Sequence, residues 1–144
     1  MFLPELHITC GDPTGIGPEL VVRTLAEWAR PEPSPLDIII YGHPALLHDT
    51  ARRHGIDFDG HDLDATGLRA RLGVNALRIV EPEKVADPLA ASGAAQIAYL
   101  KDALTNIQKS PKRAILVTAP ICKATAHEAG FPFPGHTELL ARHA

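Results

Sequence analysis

Two apolar runs without polar alternation, LDIIIYG (36–42) and RAILVTAP (113–120), constrain this chain more than any other feature. A strand with one wet face alternates polar and apolar residues, whereas a strand covered on both faces reads as a continuous apolar run. LHITC (6–10) and ALRIVEP (76–82) are two more candidate strands. Helical spacing separates the four. Leu20, Val21, Leu25, Trp28 and Ala29 recur at helical intervals until RPEPSP (30–35) stops them. A second helix runs through Leu46 and Leu47 and ends near His54-Gly55, and a third, from Ala90 to about Lys109, carries Ile97, Leu100, Leu104 and Ile107 as its apolar stripe. The polar segment IDFDGHDLDATGLRARLGVN (56–75) is expected to be an irregular surface loop. Strands alternating with helices imply an α/β, doubly wound, mainly parallel sheet with helices on both faces.

Composition removes several function classes. The 14 Lys and Arg are scattered and the formal charge is −3, so no phosphate-backbone partner is expected. The longest apolar runs are far short of a membrane span, and MFLPELHIT has no basic segment ahead of an apolar one. Cys10 and Cys122 form no CxxC pair and are expected to be free thiols in a reducing cytoplasm. Each falls at a predicted strand end, and with no evident basic partner an inert small residue is the expected role.

In sheets of this kind ligands bind beyond the carboxyl ends of the strands. Two loops there stand out, GDPTGIGPE (11–19) and APICKATAHEAGFPFPGHTE (119–138). The first satisfies neither the G-x-G-x-x-G fingerprint nor a phosphate loop ending in Gly-Lys-Ser/Thr. Pro18 suits the first helical position but removes an N–H that an anion would use, and Glu19 already complements the helix dipole. On its residues alone the loop fits either a tight strand-to-helix connection or a ligand-contacting loop.

GDPTGIGPE, followed by TAPICKATAHEAGFPFPGHTELLA (118–141), resembles the 4-hydroxythreonine-4-phosphate dehydrogenase family of vitamin B6 biosynthesis, in order and spacing along essentially the whole chain. The glycine loop also resembles the GDGIGPE opening of isocitrate and isopropylmalate dehydrogenases, whose two-domain fold the family shares. The resemblance implies oxidation of the C3 hydroxyl of 4-phosphooxy-L-threonine with hydride transfer to NAD or NADP and loss of CO2. It also implies a homodimer and a divalent metal cation (Zn, Mg or Co) held by three histidines that lie beyond the last residue of this chain. The family's substrate contacts at the His and Thr of GHTE map onto His136 and Thr137. Lys123 and His127 are further cleft candidates facing an anionic phosphate or carboxylate, with solvent exposure an equal alternative. Gly11, Asp12, Gly15 and Gly17 become candidates for a loop near the cofactor and the domain cleft, not for the main phosphate clamp.

Family members are more than twice this length, so the chain is expected to be part of a longer one, inactive by itself. Residues 1–118 would form the first α/β domain, on the cofactor side, and 119–144 the crossover into a second, incomplete here. Alternatives are a dehydrogenase of another phosphorylated hydroxy acid and, if 144 residues are the whole, a noncatalytic binding module. No metal site is expected within the chain. His136 and His143 lie about 10 Å apart along a helix, too far for one ion. Asp57, Asp59, Asp62 and Asp64 lack the Gly and closing Glu of a calcium loop. His7, His43, His48, His54 and His61 have no ligand spacing and are expected at the surface or at helix ends.

Overall fold

The four apolar runs become strands of a single sheet in the computed structural model, which describes residues 3–28, 36–64, 66–72, 75–131 and 136–143. In chain order the elements are β1 (Glu5–Thr9), α1 (Gly17–Glu27), β2 (Asp37–Tyr41), α2 (Pro44–Arg53), β3 (Phe58–Asp64), β4 (Gly67–Leu72), β5 (Asn75–Val80), α3 (Ser92–Ile107), β6 (Ala114–Thr118), α4 (Lys123–Glu128) and α5 (His136–His143). The sheet order is β3-β4-β5-β2-β1-β6. β1 pairs in parallel with β2 and β6, and β2 in parallel with β5, so the four expected strands share one direction.

Within the segment 56–75 the surface-loop expectation is corrected: β3 and β4 pair antiparallel, and β4 pairs antiparallel with β5. The signal was short but present. In GLRARL, Ala70 and Leu72 are buried while Arg69 and Arg71 are exposed, a period-2 alternation within six residues. Acidic residues in β3 masked it. Asp57 and Asp59 are exposed, and Asp59 lies on the strand; the side chains of His61, Asp62 and Asp64 lie outside the described residues.

Register assigns the two faces. Leu6, Ile8, Ile38, Ile40, Leu77 and Ile79 lie on the face that carries α1 and α2. His7, Ile39 and Tyr41 point to the other, where α3 crosses β1 and β2. Against that sheet face α3 sets Ala95, Tyr99 and Ala103, spaced i, i+4, i+8, all buried. The expected stripe is therefore rotated: Ile97 and Leu104 pack instead into a small second cluster with Leu100, Ala126, Phe131 and Leu139. On α1 the core residues are Val21, Val22 and Leu25, whereas Leu20 and Trp28 are exposed; Ala29 lies outside the described residues. β6 also departs from the doubly covered strand that its sequence suggests. Ile115 and Val117 are 50% and 48% exposed, because among the described residues no helix lies over that edge of the sheet.

His7 corrects a second expectation. It is fully buried, in a directional chain of hydrogen bonds. Asn106 Nδ2 donates to the Tyr41 hydroxyl (3.1 Å), which donates to His7 Nδ1 (2.8 Å), and His7 Nε2–H donates to Glu5 Oε2 (2.9 Å). Glu5 Oε1 accepts from Arg113 at 3.0 Å. Burial pushes the Tyr41 phenol up to about 12, which keeps its proton available to donate. Because Glu5 is an acceptor, Nε2 carries the ring proton. The chain links β1, β2 and α3, running from Tyr41, the last residue of β2, to Glu5, the first of β1.

Asn75 closes the other layer. Its buried Nδ2 donates to Leu25 O (2.5 Å) and Trp28 O (3.2 Å), carbonyls at the carboxyl end of α1. Asn75→Leu should cost about 2 kcal/mol by taking this donor from the carbonyl of buried Leu25. Urea unfolding should show the loss as a lower midpoint at unchanged slope.

Candidate functional site at the carboxyl edge of the sheet

β1 lies at the point where connections diverge: the chain leaves it through α1 towards β2 on one side, whereas α3 delivers the chain to β6 on the other. Such a switch opens a crevice beyond the carboxyl ends of the strands. The two loops singled out in the sequence meet there. Ala119 N–H donates to Thr9 O and Asp12 N–H to Pro120 O, both at 3.0 Å.

Glycines make this approach possible. Gly11 has φ +69°, and a Cβ there would lie 2.2 Å from Pro120 O. A Cβ on Gly17 would lie 1.9 Å from Cys10 O. Both glycines are therefore required by backbone packing. Gly15 is different: its added Cβ would meet Asp12 at an ordinary 3.5 Å. Asp12 Oδ1 accepts from Thr14 N–H (2.9 Å) and from the Thr14 hydroxyl (2.8 Å), a local turn that shapes the loop. Pro18 stands in the first turn of α1, and Glu19 lies beside Arg23 (3.2 Å) and His54 (3.5 Å). With Gly11 and Gly17 packed against backbone and Glu19 in the first turn of α1, this loop does not fit a pyrophosphate cradle.

The β6–α4 connection lies against this loop through the Asp12–Pro120 hydrogen bond. Cys122 caps α4 at its N-terminal end, Lys123 follows exposed, and His127 lies one turn later, exposed, with its ring 6.4 Å from that of Phe131. Lys123 and His127 are thus brought to one face of α4. His136 and Thr137 open α5, and their side chains lie outside the described residues. One turn on, buried Leu139 packs in the cluster with Ala126 and Phe131, which ties the start of α5 to α4.

His43 was not identified as a site-shaping residue from its sequence position. It occupies the N-cap of α2, a helix end as expected, but it is buried. Its Nε2–H donates to Val85 O (2.6 Å), and its Nδ1 accepts from the Tyr99 hydroxyl (2.5 Å), which fastens the β5–α3 loop over the end of β2. No spacing rule finds such a residue, because its partners lie 42 and 56 positions away.

The two thiols are free and differ in chemistry. Burial pushes Cys10 up to about 12. The neighbouring Thr125 hydroxyl, with the N–H groups of Thr125 and Ala124, holds Cys122 below the usual thiol range. Iodoacetamide should therefore modify Cys122 in the folded chain, with a midpoint below that of a free thiol, and should spare Cys10 until unfolding. Modification of Cys10 at native pH would contradict this geometry. Among the described residues no three His, Cys, Asp or Glu side chains converge to hold a metal ion, and no helix is long and apolar enough to cross a membrane.

Residues 35–144 match the model of the family described as pyridoxal phosphate biosynthetic protein PdxA. A 4-hydroxythreonine-4-phosphate dehydrogenase of Synechococcus sp. (strain JA-3-3Ab) is 38% identical across 99% of this chain and 40% of its own length. The enzyme of the same name from Aquifex aeolicus is 32% identical, over 96% of this chain and 42% of its own. Among solved structures, a 4-hydroxythreonine-4-phosphate dehydrogenase from Burkholderia phymatum superposes with a TM-score of 0.76 at 29% identity, covering 99% of this chain and 44% of that one. The chain thus spans less than half the length of the relatives it matches.

Proposed function

The chain belongs to the pyridoxal phosphate biosynthetic protein PdxA family, with the isocitrate dehydrogenase-like fold of those dehydrogenases, and we propose that it serves NAD- or NADP-dependent oxidation of 4-phosphooxy-L-threonine at the C3 hydroxyl with loss of CO2. The observation that carries this reading is the meeting of GDPTGIGPE and TAPICKATAHEAG at one sheet edge, in a chain similar to named dehydrogenases from end to end.

In this reading His136 and Thr137 hold the substrate. Lys123 and His127, at the exposed face of α4, offer positive or hydrogen-bonding groups to its phosphate or carboxylate. Asp12, Gly15 and the packed Gly11 and Gly17 form the wall that keeps cofactor and substrate in one cleft, where positioning supplies much of the rate. When bound, the nicotinamide accepts the hydride. A divalent metal has no ligand set among the described residues. The second domain begins after Thr118, and the working enzyme is a cytoplasmic homodimer.

Complementation tests the proposal. The full encoded chain should restore growth without pyridoxine to a bacterium that lacks this dehydrogenase. No growth, with the folded protein present in the cells, would overturn it.

A further inference from the structure

Gln96 is the one buried side chain on α3 that spends both ends of its amide on the β6–α4 connection. It is 1% exposed. Its Oε1 accepts the Cys122 N–H at 2.9 Å, and its Nε2 donates to Thr125 Oγ1 at 2.8 Å, which itself donates to Cys122 O at 3.2 Å. An N–H can only donate, so Oε1 faces Cys122 and the orientation of the amide is set by its partners. The Cys122 N–H precedes α4 and has no partner within that helix, and Gln96 satisfies it. Three residues earlier, Gly93 lets α3 come this close: a Cβ there would lie 2.1 Å from Thr125 O. From the other side the same loop is held by the Asp12 N–H on Pro120 O. Lys123 sits directly after one clamped residue and two before the other.

We infer that Gln96 is a positioning residue: it fixes the β6–α4 loop, and so holds Lys123 at the wall of the cleft, where the anionic end of the substrate binds. The inference rests on the function proposed above for its substrate half and on geometry alone for the loop. A buried amide would be costly without these partners, and nothing in the packing of α3 on the sheet requires one. Contacts to the substrate's anionic end act equally on ground and transition states, so their loss appears in KM.

The test uses Gln96→Met in the full encoded chain, a volume-conserving change that removes both hydrogen bonds. Far-UV circular dichroism should stay unchanged. The pH midpoint for alkylation of Cys122 should move up towards that of an ordinary thiol, because Thr125 is no longer held beside it. KM for 4-phosphooxy-L-threonine should rise about tenfold, with kcat changed less than about twofold. If Gln96→Met does not fold, Thr125→Val cuts one of the two bonds from the partner's side and carries the same expectation for KM. An unmoved Cys122 midpoint in folded Gln96→Met, or an unchanged KM in either variant of an active enzyme, overturns the inference. A raised midpoint in a protein whose unsubstituted form oxidises no phosphorylated hydroxy acid upholds Gln96 as the fastener of the loop and overturns the proposed function instead.

Discussion

Gly17→Ala should unfold the chain or come close to it. A methyl group there would sit 1.9 Å from Cys10 O and 3.1 Å from Cys10 C, so it meets backbone that no side-chain rotation can relieve. Either β1 or the start of α1 would have to shift, and both are fixed by buried residues, Ile8 and Val21. A cost of about 3 kcal/mol or more is expected, read as a collapsed urea midpoint or as failure to purify folded chain. Gly15→Ala is the control. Its methyl would meet Asp12 at 3.5 Å, and stability should change by less than about 0.5 kcal/mol. Equal losses at the two glycines would show that the loop's motif is not explained by packing. An unaltered Gly15→Ala fold with weakened cofactor binding would place Gly15 at the cleft.

The second large effect is on catalysis. In the full encoded chain His136→Ala should lower kcat/KM for 4-phosphooxy-L-threonine by about 100-fold, the range for removal of a group that binds and orients at the reacting centre. The fold should survive, because buried Leu139 anchors α5. Steady-state kinetics beside a thermal melt separate the two: an unchanged kcat/KM would remove His136 from the site.

How far the sequence could be read follows from the range of the forces involved. LDIIIYG and RAILVTAP announce strands because their signal is local, and the parallel register follows from the helices between them. The hairpin at 58–72 was hidden because its apolar positions are sparse and acidic residues fill β3, while the alternation in β4 spans only six residues. The half-exposed face of β6 cannot be read from AILVT, since a strand's own residues do not say whether a helix covers them. At the site, the two loops were legible as motifs. That Gly11 and Gly17 serve backbone approach was not, because the carbonyls they approach lie on Pro120, far along the chain, and on Cys10 across the turn. His7, His43 and Gln96 escaped for the same reason. Each is defined by hydrogen bonds that include partners 26 or more positions away, and spacing rules see only neighbours.

A dehydrogenase of a phosphorylated hydroxy-amino acid that releases CO2, the function proposed for this chain, must form reduced nicotinamide and CO2 together. The most direct measurement supplies the purified full encoded chain with 4-phosphooxy-L-threonine and NAD or NADP, and follows reduced nicotinamide and released CO2 together. Equal amounts of the two products are expected, and little of either from 4-hydroxythreonine without its phosphate. No reduction of either nicotinamide by folded protein, or equal rates with and without the phosphate, would contradict the proposed function.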